Sequence, residues 1–275
     1  MGFDPTRRFD PMVDPVELMV LAESAARAAG ALLLAGLDEI RTDVQTKSTG
    51  TDMVSEMDRA AEACIVERLL GARPDDGMVG EEGTDLRGTS GVVWVVDPLD
   101  GTTNYLYGLA GFGVSIAADV DGVVVAGVVL DVVRGDLFAA TLGGGATRDD
   151  VPIRTSSATD LGTALVATGF SYEAERRARQ AAVLVEVLPR VRDIRRFGAA
   201  AVDLCSVACG RVDGYYERGL APWDLAAGGL IATEAGAVVT GFDGGPAVAG
   251  SVVAAAPGIA GPLRELVVRA GAAEA

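Results

Sequence analysis

Val92-Val93-Trp94-Val95-Val96-Asp97-Pro98-Leu99-Asp100-Gly101-Thr102-Thr103-Asn104 is the stretch from which the rest of the chain can be read. Its first five residues are β-branched or aromatic and uncharged, the composition of a short buried strand. Two carboxylates, Asp97 and Asp100, stand at the C-terminal end of that strand. Pro98 fixes φ and removes a donor at the exit, and Gly101 permits a turn that a side chain would obstruct. Two carboxylates with a backbone carbonyl between them offer a hard-oxygen cluster of the kind Mg²⁺ accepts. Thr102 and Thr103 add hydroxyls and backbone N–H groups suited to an anion at the opening of the next segment. A strand-end turn capped by aspartate is the plain structural alternative.

Moving outward, Val114 to Ala118, Val123 to Leu130 and Leu137 to Ala140 continue the strand pattern, with Asp121-Gly122 as a hairpin turn. Toward the N-terminus, residues 1–15 read as a flexible lead. Asp14-Pro15 signals a helix start, and Val16 to Leu34 carries apolar residues at helical spacing up to Gly36. Thr42 to Lys47 reads as extended, and Ser55 to Leu70 as a second helix closed by Gly71 and Pro74. Toward the C-terminus, helices are expected at Tyr172 to Leu188, Ala199 to Cys209, Trp223 to Ala235 and Leu263 to Ala270. Strands are expected around Gly214 to Tyr216 and at Val252 to Ala256. Glu173, Glu175, Arg176, Arg177 and Arg179 read as a solvated charge cluster. There is no GxGxxG, no Walker loop and no internal repeat, so layered sheets and helices without a nucleotide-binding unit are expected. The glycine-rich seam at residues 141–157 divides the chain into lobes at 16–145 and 146–275.

Composition narrows the chemistry. A length of 275 residues allows a substantial core. The balance of 23 basic against 39 acidic residues, net −16, disfavours broad nucleic-acid binding. No histidine is present, which removes Ser-His-Asp triads, phosphohistidine intermediates, His-rich zinc sites and His general bases. Cys64, Cys205 and Cys209 form no CxxC pair and read as free thiols. Residues 1–14 lack a secretory core, and the uncharged run from Gly244 to Leu263 is broken by prolines. A soluble cytoplasmic protein, without a membrane span, is the expectation.

Two further acidic pieces accompany the strand: Glu81-Glu82 after Gly80, and Trp223-Asp224 at a helix start. Alone, the first reads as a solvated pair and the second as a helix cap. In order, however, Gly80-Glu81-Glu82, Asp97-Pro98-Leu99-Asp100-Gly101-Thr102 and Trp223-Asp224-Leu225-Ala226-Ala227 resemble the signature of the inositol monophosphatase family. That family lies within the lithium-sensitive, metal-dependent phosphatases. The likeness runs from about Val16 to the end and includes Ala254-Ala255-Ala256-Pro257-Gly258-Ile259-Ala260.

The resemblance implies an α+β fold, an alternating α-β-α-β-α sandwich of the inositol monophosphatase / fructose-1,6-bisphosphatase type, usually homodimeric. It implies that Glu81, Asp97, the Leu99 carbonyl, Asp100 and Asp224 hold two or three Mg²⁺ ions, with Glu82 beside them. Gly101, Thr102 and Thr103 would receive the phosphate, and Asp58 would hydrogen-bond Thr102 to position the attacking water. Gly198, Ala199, Ala200 and Glu217 would contact a small phosphorylated polyol, and Lys47 would lie nearby. Lys47 and Glu217 also read as plain surface residues, and Ala199 lacks a hydroxyl found in some relatives. The activity implied is lithium-sensitive hydrolysis of myo-inositol 1-phosphate by direct water attack. Histidinol-phosphate, fructose-1,6-bisphosphate and 3′-phosphoadenosine 5′-phosphate phosphatases are the sister alternatives. A non-catalytic regulatory dimer and a simple cation-binding module are alternatives of a different class.

Overall fold

The computed structural model describes residues 13–42 and 50–275, with side chains described for 13–37 and 56–275. Lys47, residues 43–47 of the expected extended run and residues 1–12 of the expected lead lie outside these.

The chain opens with α1 (Pro15–Thr42) and α2 (Gly50–Ala72). Strands β1 (Gly77–Gly80), β2 (Asp85–Leu86) and β3 (Val92–Asp100) lead to the short helix α3 (Thr102–Leu106). An antiparallel run follows: β4 (Gly113–Val120), β5 (Val123–Asp131), β6 (Asp136–Thr141), β7 (Gly145–Arg148) and β8 (Val151–Pro152). The remainder alternates: β9 (Leu165–Thr168), α4 (Ala174–Val187), β10 (Asp193–Arg195), α5 (Ala200–Ala208), β11 (Gly214–Glu217), α6 (Pro222–Glu234), β12 (Val238–Thr240), β13 (Val252–Ala255) and α7 (Pro257–Arg269). Strands β1 to β8 form one sheet in the order β2-β1-β3-β4-β5-β6-β7-β8, in which β1 and β3 are parallel. The second sheet runs β10-β9-β11-β13-β12, parallel around β9 and antiparallel around β13.

Side-chain alternation converts these sheets into layers. Val92, Trp94 and Val96 of β3 join the apolar cluster beneath α1 and α2, whereas Val95 joins the cluster around α5 and α6. α5 and α6 lie between the sheets, and every residue of α5 is buried. A third cluster joins the far face of the second sheet to α4 and α7. The result is the α-β-α-β-α layering implied by the resemblance. Its deepest anchor is Trp94, fully buried, whose indole N–H donates to Asp76 Oδ2 at 3.0 Å. Truncating such a side chain to alanine costs about 3–5 kcal/mol.

Three helices run further than the sequence pattern suggests, α2 by spanning Gly50–Ala72 where Ser55 to Leu70 is expected. Gly36 does not end α1; a Cβ there would lie 2.5 Å from Met57 Cε and 2.7 Å from the Tyr105 hydroxyl, so the glycine serves close packing. α7 begins at Pro257 rather than Leu263, because proline is well tolerated at the first helical position. Pro15–Leu37 is long and apolar enough to cross a membrane. Its Leu18, Ala22, Ala25, Ala29 and Leu33 are buried in the core on the first sheet. The three cysteines are free, with Cys205 buried.

Candidate active site

A regular strand would send Asp97 and Asp100 to opposite faces, because side chains alternate. The register prevents this. Asp97 pairs with Ser115 and Asp100 with Gly113, so three steps on β3 oppose two on β4. This bulge at Pro98-Leu99 resets the phase: Leu99 turns into the cluster beneath α1 and α2, and both aspartates turn toward α5 and α6. Proline suits the irregular position, since it has no N–H to lose from the ladder. Asp97 Oδ1 accepts the Leu99 N–H at 3.0 Å, which closes the turn.

Asp224 arrives from the opposite side, in the first turn of α6. Its Oδ2 accepts the Ala221 N–H at 2.6 Å, so it does cap the helix, while a carboxylate oxygen of each of Asp97, Asp100 and Asp224 lies within 4.8 Å of the others. Ser115 Oγ donates to the Trp223 carbonyl at 3.1 Å and fixes that helix end to β4. Asp100 is tethered in turn: Oδ1 accepts Ala200 N–H at 3.1 Å and Oδ2 accepts Ala201 N–H at 2.7 Å, both from the opening of α5. Glu81, exposed at the rim, shares a hydrogen bond with Asp97.

The electrostatics of this cluster are unfavourable as it stands. Burial first, and then the charges of Asp100, Glu81 and Asp224, push Asp97 well above the usual carboxylate range. Burial and Asp224 hold Asp100 at about 8 against the pull of its two backbone donors. Asp224 and Glu81 are raised as well, chiefly by desolvation; around Glu81 the cleft walls remove water although one side of it stays open. Like charges held so close are stable only with protons or cations among them. An all-oxygen set of carboxylates with the Leu99 carbonyl beside it fits hard divalent cations.

Glu81 and Glu82 are presented by a loop that Glu62 organises. Glu62 is buried on α2, four residues from Asp58 and so on the same helix face. It accepts the Glu82 N–H at 3.0 Å, the Thr84 N–H at 3.2 Å and the Thr84 hydroxyl at 2.5 Å. Asp58 is buried, its Oδ1 has no hydrogen-bond partner among the described residues, and burial followed by Glu82, Glu81 and Glu62 raises it to about 8. The hydrogen bond expected between Asp58 and Thr102 is not formed. Thr102 Oγ1 donates instead to the Leu99 carbonyl at 3.1 Å.

Gly101 adopts φ +91°, and a Cβ there would meet the Gly111 carbonyl at 2.8 Å and Phe112 Cα at 3.1 Å. A left-handed turn with no room for a side chain therefore delivers Thr102 directly after Asp100. Asn104 locks this corner, donating to the carbonyls of Gly111 at 2.6 Å and Phe197 at 2.7 Å. Thr103 turns outward, its hydroxyl 3.4 Å from that of Tyr172.

The carboxylates floor a cleft of about 350 Å³. Glu81, Asp97, Leu99, Asp100, Gly101, Thr102, Gly198, Ala199, Ala200, Glu217 and Asp224 all line it, so nearly all the residues singled out from the sequence converge. Thr103, Glu82 and Asp58 stand around it rather than in its wall. Glu217, at the end of β11, accepts the Tyr215 hydroxyl at 2.6 Å, and burial raises it to about 7 against Tyr215 and Arg196.

The sequence reading missed Glu62, Tyr215 and Arg196. Helical spacing from Asp58 pointed to Glu62, and strand alternation from Glu217 pointed to Tyr215. The solvated cluster at 173–179 needs correction: Glu173 and Arg176, three apart on α4 and its cap, line the cleft, whereas Glu175, Arg177 and Arg179 face outward.

Residues 14–272 match the model of the inositol monophosphatase family. The inositol-1-monophosphatase of Mycobacterium leprae is 47% identical over 276 residues, 92% of this chain and 94% of that relative. The Nus factor SuhB of Escherichia coli K12 is 40% identical over 244 residues, 87% of this chain and 91% of the relative. The solved structure of Mycobacterium tuberculosis SuhB superposes with a TM-score of 0.83 at 41% identity, over 95% of this chain and 99% of that one.

Proposed function

The chain belongs to the inositol monophosphatase family, and we propose that it hydrolyses a small polyol phosphomonoester, myo-inositol 1-phosphate first among them, with Mg²⁺ as cofactor. The observation that carries this reading is the mutual approach of Asp97, Asp100 and Asp224 within 4.8 Å on the floor of the cleft. Glu81, Asp97, the Leu99 carbonyl, Asp100 and Asp224 would hold the ions. When bound, the ions supply positive charge to the phosphoryl oxygens and acidity to a water.

The chain's own residues do the rest. Backbone N–H groups at Gly101 and Thr102 donate to the phosphate oxygens at the left-handed turn. Asp58 and the Thr102 hydroxyl position the attacking water, with Glu82 beside them. Glu217, oriented by Tyr215, accepts a hydroxyl of the polyol, and Gly198, Ala199 and Ala200 shape the wall behind it. Thr103 borders the phosphate end, and Lys47 completes the expected set. Without a histidine, no covalent phosphohistidine step is available, and direct displacement by water is the consistent route. The free cysteines support a reducing, cytoplasmic setting, and the exposed apolar side chains of Tyr107, Leu109 and Tyr172 support a homodimer.

Relatives named Nus factor SuhB favour a second reading, a Nus-factor role beside catalysis. The complete carboxylate set keeps catalysis first. Inorganic phosphate release should be measured with Mg²⁺ or EDTA across myo-inositol 1-phosphate, histidinol phosphate and fructose 1,6-bisphosphate. Mg²⁺-dependent release, highest on inositol phosphate, is expected. A different best substrate would move the chain to a sister activity, and no release from any would overturn the phosphatase reading.

A further inference from the structure

Two guanidinium groups in the cleft have no part in the chemistry above. Arg176 on α4 and Arg196 after β10 both line it, at the end where Glu217 sits rather than over the aspartates. Each rests on a glycine. A Cβ on Gly219 would overlap the Arg176 guanidinium, and one on Gly198 would overlap that of Arg196. Both glycines have positive φ, +88° and +98°, a backbone conformation that L side chains rarely adopt. Neither arginine makes an ion pair or hydrogen bond among the described residues. A third cleft arginine, Arg218, is engaged by the Ala275 carbonyl at 3.1 Å. Both free cations pull the titration of Glu217 downward, so their charge reaches the polyol end.

Counting every charged side chain that lines the cleft outside the carboxylate cluster, Arg176, Arg196 and Arg218 stand against Glu173 and Glu217, an excess of one positive charge. A neutral polyol has no use for this excess, because hydroxyls gain little from guanidinium forks that carboxylates and phosphates match in geometry and charge. We infer that Arg176 and Arg196 form a subsite for a second anionic group on the substrate, phosphate or carboxylate, beyond the phosphate that is cleaved. The inference rests on the phosphatase reading and deepens it: on one and the same carbon skeleton, the phosphate ester carrying a further anion is preferred.

Matched substrate pairs test this. Phosphate release is measured for myo-inositol 1,4-bisphosphate against myo-inositol 1-phosphate, and for 2-phosphoglycerate against glycerol 2-phosphate. The first pair adds a phosphate and the second a carboxylate. The native enzyme is expected to favour the added anion by about tenfold or more in kcat/KM, expressed in KM, in at least one pair. The pair that responds identifies the anion. In Arg176→Gln, Arg196→Gln that ratio should fall toward one, with Mg²⁺-induced thermal stabilisation retained as evidence of a folded, metal-binding protein. A native ratio at or below one in both pairs overturns the subsite. So does an equal loss on both members of a pair, which would assign the arginines to the cleaved phosphate. No Mg²⁺-dependent release from any of the four would overturn the phosphatase reading itself and the subsite with it.

Discussion

Glu62 fills the space that any side chain on Gly80 would need, for a Cβ on that glycine would overlap its carboxylate. One buried residue of α2 thus excludes a side chain from β1 and holds the loop carrying Glu81 and Glu82. Gly80→Ala is expected to displace Glu62, weaken Mg²⁺ binding and cost about 1–3 kcal/mol, read by calorimetric titration and by denaturant unfolding. Metal affinity equal to that of the native protein would mean that the loop is set from elsewhere.

Asp97→Asn removes a charge from the carboxylate cluster but leaves an oxygen to accept the Leu99 N–H. Turnover should fall by about a thousandfold or more, several kcal/mol of barrier. The metal-free variant should melt at the same temperature as the native protein or higher, because one source of repulsion is gone. Retained activity would contradict a metal role for this side chain.

In the metal-free chain Asp58 and Asp100 keep their protons to about pH 8, whereas unfolded aspartates release theirs near 4. The folded state therefore binds more protons across that window, and its stability falls as pH rises through it. Thermal midpoints in EDTA should be higher at pH 6 than at pH 8. The increment from added Mg²⁺ should be larger at pH 8, where fewer protons must be displaced. A midpoint in EDTA that rises from pH 6 to pH 8 would contradict the assignment.

Gly101→Ala places a Cβ 2.8 Å from the Gly111 carbonyl on a backbone at φ +91°. A loss of about 2–3 kcal/mol in stability and most of the activity is expected, since the turn must open to admit the methyl. Circular-dichroism melts and phosphate release on the same preparation would check both.

Much of this was legible in the sequence because strand texture and acidic motifs sit close together in the chain. Val92 to Val96 announced β3, and Asp97, Asp100 and Asp224 stood at element ends where side chains are free to converge. Short strands such as β2 and β10 were not legible, for they owe their pairing to neighbours rather than to two or three residues of their own. Glu62 carried only its helical spacing from Asp58, since its three hydrogen bonds reach residues twenty or more positions away. Arg176 was hidden among like neighbours; only the placement of α4 decides which charges of that run turn inward.

The bulge at Pro98 has a consequence for how such a chain can vary. Side-chain identity between the two aspartates is negotiable in principle, but the number of residues is not. Losing one of them would restore two-step parity with β4 and keep both aspartates on one face, but it would remove the bulge that turns Leu99 into the core and shapes the backbone between them. The spacing behaves as a ruler, and drift in this region should take the form of replacement, never of insertion or deletion.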